Sequence, residues 1–147
     1  METPKFQFDE RTVMSLLLIV VAFYVGRMIP RWMAGVPYMK PQEAKAQLDA
    51  NPDALILDVR APSQFSGKDG HIKDALNLPL IDLMGRIKQI KADLGQYAET
   101  PVLVVCKNDQ LSARAARILR KNGLAKVAVL SGGLKAWKKA GLPVEGA

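Results

Sequence analysis

The chain has 147 residues, enough for one domain of ordinary size and little else. Apolar residues make up 49% and charged residues 24%, a balance that excludes both a disordered chain and a wholly membrane-embedded one. The net charge of +7 favours anionic neighbours, yet no stretch pairs basic residues with the aromatic platforms that single-stranded nucleic acid needs, so no nucleic-acid partner is expected.

Residues 1–11 read as a polar tail. Residues 12–26, TVMSLLLIVVAFYVG, carry no charge, and Met28 and Ile29 extend the apolar run past Arg27. A transmembrane helix is expected over 12–29, with Arg11 and Arg27 snorkelling to opposite interfaces and Tyr24 and Trp32 as interfacial aromatics. A buried amphipathic helix would show a polar face, and a cleaved signal peptide would start with a basic segment, whereas the first ten residues are net acidic. Pro30 and Pro37 stop the helix and frame a linker over 30–37. Lys5 and Arg11 precede the apolar run, while Arg27, Arg31, Lys40 and Lys45 follow it. Counting positive charges places the N-terminus outside and the following domain in the cytoplasm.

From residue 38 to 147 the pattern becomes that of an α/β domain. Pro41 to Ala50 reads as a helix with Ala44 and Leu48 on one face. Leu55-Ile56-Leu57, leading into Asp58-Val59-Arg60, is a continuous apolar strand of the kind buried in a parallel sheet. A second short strand covers Ala75 to Leu78, and a helix covers 82–94, ending at Gly95. Val102 to Val105 is a third strand, Ser112 to Lys121 a helix, Lys126 to Leu130 a fourth strand, and 134–140 a last helix. Strand alternating with helix predicts a parallel sheet flanked by helices, with its working site beyond the carboxyl ends of the strands.

Cys106 stands at such an end. It is the single cysteine, so no intramolecular disulfide is available, and a free thiol fits a reducing compartment. The loop 107–111 can curl its N–H groups inward as an anion nest at the start of the next helix, where a thiolate becomes a good nucleophile. Equally, Cys106 can be a small core residue that finishes a strand. Arg60 can contact an anionic donor or pair with Asp58. His71 is the sole histidine, which excludes a metal site built on several of them. Its Gly-His-Ile setting reads as structural, and Leu134 and Trp137 read as core.

Asp58-Val59-Arg60, Gln64-Phe65, Gly70-His71-Ile72, Ala75, Asn77, Pro79, Gly132-Gly133, Trp137 and Ala140-Gly141-Leu142-Pro143-Val144, with a cysteine after a Val-rich strand, form an ordered series. Together they resemble the rhodanese (sulfurtransferase) family over roughly residues 38–145. A single such domain behind an N-terminal anchor is similar to the membrane-bound single-domain rhodaneses of bacteria, which implies a single-pass protein of the bacterial cell membrane. The resemblance implies that Cys106 takes sulfane sulfur from a small donor, holds it as a persulfide and passes it to a thiol or cyanide. It also implies that Lys107, Asn108, Asp109, Gln110 and Leu111 cradle the persulfide, with Asp58 and Arg60 in support. No metal or organic cofactor is implied.

Two loop positions depart from the family pattern. Asp109 stands where glycine is usual, and Leu111 where arginine is usual. Asp tolerates the left-handed turn, but a second negative charge ~6 Å from the sulfur would repel an anion by about 3 kcal/mol at an effective dielectric of 20. A cysteine phosphatase is not expected, because the position that needs its arginine is Ser112. Two functions therefore stand: a membrane-anchored sulfurtransferase using Cys106, or a degenerate domain that binds or regulates a partner, a membrane protein among the candidates.

Overall fold

Apolar runs at 102–105 and 127–130 become the two wholly buried strands of a parallel sheet, as their lack of polar alternation predicts. The computed structural model describes residues 9–33 and 35–146, with the backbone alone over 27–33. It divides into two units, Met1–Met33 and Ala34–Ala147.

The first unit is one helix, α1, Glu10–Met33. Its apolar side chains between Val13 and Val25 are exposed. The transmembrane helix expected over 12–29 is corrected here: among the described residues no helix is long and apolar enough to cross a membrane. The helix itself is long, but its uncharged stretch is short. Fifteen uncharged residues (12–26) rise about 22 Å, against about 30 Å of hydrocarbon. Pro30 does not end the helix, which runs on to Met33. Most of the expected tail, residues 1–8, and the side chains of Arg27, Met28, Ile29, Arg31 and Trp32 lie outside the described residues.

The second unit is an α/β sheet flanked by helices. Its strands are β1 (Tyr38–Met39), β2 (Leu55–Asp58), β3 (Leu76–Asn77), β4 (Val102–Val105) and β5 (Val127–Leu130). All pair in parallel, in the order β1-β5-β4-β2-β3, so β4 lies at the centre. The helices are α2 (Pro41–Ala50), α3 (Pro62–Phe65), α4 (Leu80–Leu94), α5 (Gln110–Lys121) and α6 (Gly133–Lys139). Beyond Gly95 the chain does not turn away but continues as a 3-10 turn, Gly95–Tyr97.

Side chains alternate across the sheet with a period of two. Val102 and Val104 face a core built with Leu83, Ala115, Ala116 and Leu119; Leu103 and Val105 face another, built with Ala44, Ile56, Leu134 and Trp137. The next residue in the alternation is Cys106, which joins the first core, on the α5 side. α5 presents Ser112, Ala115, Ala116 and Leu119, spaced three, four and seven apart, as its buried stripe. The small side chains on that stripe let the helix settle close over the end of β4.

Candidate active site

The carboxyl edge of the sheet is organised by β4 and its neighbour β2, where Asp58 pairs with Val105. The N–H of Val59 donates to the carbonyl of Val105 at 2.9 Å, carrying the pairing one step beyond the strands. Cys106 follows directly and is 0% exposed.

Asp109 takes φ +85°, the left-handed conformation, and starts α5 at Gln110. Lys107, Asn108 and Asp109 form the loop, while Gln110 and Leu111, both exposed, belong to the first turn of α5, whose N–H groups have no partner within the helix. The turn brings the Asp109 N–H to 3.0 Å from Sγ of Cys106. Ser112 Oγ lies 3.3 Å from the same sulfur and donates to the Asp109 carbonyl at 3.0 Å. A serine hydroxyl has one proton. With a thiol, that proton goes to the carbonyl and Oγ accepts from S–H; with a thiolate, the hydroxyl rotates and donates to sulfur. Sγ thus meets one fixed N–H donor, with a hydroxyl beside it that can turn toward the sulfur.

Ser112 was not among the residues singled out from the sequence. Its signal is its place in the apolar stripe of α5, where a polar side chain needs a partner. Replacing it tests the rotating donor: Ser112→Ala is expected to slow alkylation of Cys106 by iodoacetamide about tenfold, the effect of one lost hydrogen bond. An unchanged rate would remove Ser112 from the site.

The Gly132-Gly133 pair supplies the opposite wall. The N–H groups of Leu134 and Lys135 donate to the carbonyls of Cys106 and Lys107 at 2.8 and 3.2 Å. Gly132 donates its N–H to Oδ2 of Asp109 at 2.8 Å. The Asp109 carboxylate is thus engaged by the neighbouring backbone. Lys107 and Asn108 have exposed side chains.

Asp58 and Arg60 form a buried pair, 1% and 2% exposed. Nε of Arg60 meets both carboxylate oxygens at 3.0 and 3.1 Å, and Nη2 meets Oδ2 at 2.7 Å. The remaining reach of the guanidinium goes to the carbonyls of Gly70 and Gln64, at 2.8 and 3.2 Å. Between the two roles open to Arg60, the geometry selects pairing with Asp58: it clamps the chain around α3. Asn77 adds bonds from its amide to the carbonyls of Asp58 and Arg60, at 3.1 and 2.9 Å.

His71 stacks on Phe65 with ring centroids 3.9 Å apart and donates from Nδ1 to the Phe65 carbonyl at 3.0 Å. Its backbone exchanges hydrogen bonds with Glu145. Trp137 is buried and donates to the Pro143 carbonyl. Among the described residues no group of three or more His, Cys, Asp or Glu side chains is placed to hold a metal ion.

Residues 40–140 match the rhodanese-like domain family. A Bacillus subtilis protein, YqhL, is 35% identical over 122 residues, covering 83% of this chain and 90% of its own. A sulfurtransferase from Allochromatium vinosum is 33% identical over 92 residues, covering 63% of this chain and 78% of its own. Among solved structures, the rhodanese-like domain of an Anabaena protein superposes with a TM-score of 0.63 at 33% identity, covering 76% of this chain and 80% of that one.

Proposed function

The chain belongs to the rhodanese-like domain family, and we propose from that premise that it is a sulfurtransferase carrying sulfane sulfur on Cys106. The observation that carries the reading is the Asp109 N–H set 3.0 Å from Sγ, with the Ser112 hydroxyl 3.3 Å from the same sulfur. The relatives of this family include sulfurtransferases.

In the proposed cycle the Cys106 thiolate attacks the outer sulfur of a donor such as thiosulfate. The donor's S–S bond breaks and its electron pair leaves with sulfite, while a new S–S bond makes the Cys106 persulfide anion. An acceptor thiolate or cyanide then attacks the outer sulfur and Cys106 departs as thiolate. Charge and sulfur balance at each step.

Incubating the 147-residue chain with thiosulfate, or with a glutathione persulfide, is expected to add the mass of one sulfur atom. Cys106→Ser should take up none. A wild-type chain that gains no sulfur from either donor would overturn the reading. The full burial of Cys106 favours a second reading, a degenerate domain that holds a protein partner. Capture of one partner equally by wild type and Cys106→Ser, with no sulfur uptake, would establish it instead.

The single free thiol, which persists under reducing conditions, supports a cytoplasmic placement of the domain as part of this proposal. Recovery of Cys106 as a mixed disulfide from freshly lysed, acid-quenched cells would overturn that placement.

A further inference from the structure

Asp109 touches both walls of the site. Its N–H points at Sγ of Cys106, and its carboxylate accepts the N–H of Gly132, 23 residues further along the chain. The loop is already bound to α6 through the carbonyls of Cys106 and Lys107. The Asp109 carboxylate adds an attachment on the far side of the loop, so the segment 106–109 is held at both ends. The sulfur beneath has no exposed surface. A turn at φ +85° needs nothing more than glycine. Glycine, however, would leave the bond to Gly132 unmade, and that bond is charge-assisted and so among the stronger kinds.

We propose that Asp109 is a positioning residue that tethers the cysteine loop to Gly132 and closes it over Cys106, so that a reagent reaches the sulfur only when this bond opens. Its meaning for sulfur transfer rests on the reading of Cys106 as the carrier; the tether itself does not. The carboxylate then acts through loop closure rather than by repelling the donor.

The test uses the full chain, two alkylating reagents and intact mass. Iodoacetamide is neutral and iodoacetate is anionic, so the pair reports repulsion of the reagent, while Asp109→Asn and Asp109→Gly, both uncharged, differ in the acceptor for Gly132 and isolate closure. Asp109→Gly keeps the turn and is expected to be alkylated about tenfold faster by both reagents, the effect of one lost charge-assisted hydrogen bond. Asp109→Asn retains an acceptor oxygen for Gly132 and should stay slower than Asp109→Gly with iodoacetamide. Wild-type and Asp109→Gly rates that coincide with iodoacetamide would overturn the tether. So would acceleration confined to iodoacetate, which would assign the effect to charge alone. Sulfur uptake from thiosulfate, followed in parallel, keeps the two proposals apart. If no variant takes up sulfur while Asp109→Gly alkylates faster, the sulfurtransferase reading fails and the tether stands.

Discussion

Arg60→Met is expected to cost about 3–5 kcal/mol of stability, read as a lowered urea midpoint, because it leaves a buried carboxylate without its partner. Asp58 is 1% exposed, and its side chain is held by Nε and Nη2 of Arg60 and by the Arg60 backbone N–H at 3.0 Å. Removing the guanidinium also frees the carbonyls of Gly70 and Gln64. Arg60→Lys keeps the charge but is a single point donor, unable to reach Asp58, Gly70 and Gln64 together, so it should recover only a fraction. The double variant Asp58→Leu with Arg60→Met removes the stranded charge and should regain part of the loss. A midpoint for Arg60→Met within about 1 kcal/mol of wild type would contradict the clamp. A raised KM for an anionic donor at unchanged stability would return Arg60 to the role of donor contact.

The parts of this molecule legible in the sequence are those that repeat locally. Val102–Val105 and Leu55–Leu57 are unbroken apolar runs, and α2 and α4 show their periodicity over ten and fifteen residues. Tyr38–Met39 and Pro62–Phe65 escape notice because two and four residues are too few to display a period. The site is legible in part. Cys106 at the end of a strand follows from the apolar run before it, but the loop length does not. Asp109 can adopt either hand of turn, and its choice of φ +85° moves the start of α5 forward to Gln110 and takes Gln110 and Leu111 out of the loop. The contact between Asp109 and Gly132 joins positions that no local pattern relates. The Asp109 carboxylate reads from sequence as a charge set against anions, and in the structure it is turned to a backbone amide. For α1 the run of apolar residues is evident, and only its length in ångströms separates a long apolar helix from a span.

Gly133→Ala is expected to be the most damaging single methyl group in the domain, because the added carbon meets backbone on the cysteine loop. An ideal Cβ there would collide with the carbonyl oxygen of Cys106 and sit 2.7 Å from Asn108 N and Lys107 C. None of these is a side-chain tip that can swing aside. The loop or the start of α6 must shift, and either shift breaks the bonds from Leu134 and Lys135 to the Cys106 and Lys107 carbonyls. The positive φ of +62° adds dihedral strain of about 1–2 kcal/mol, and overpacking adds about 1–3 kcal/mol more. Gly141→Ala separates the two contributions. Gly141 has φ +73° and nothing within 4 Å of its Cβ position, so its variant should show the dihedral cost alone. The excess loss in urea stability of Gly133→Ala over Gly141→Ala then measures how tightly α6 holds the loop. Because the same shift moves the Asp109 N–H relative to Sγ, Gly133→Ala should also change the alkylation rate of Cys106, while Gly141→Ala should not. Equal losses for the two variants, with equal alkylation rates, would mean that the loop yields freely to α6 and that its closure over Cys106 is set by α5 instead.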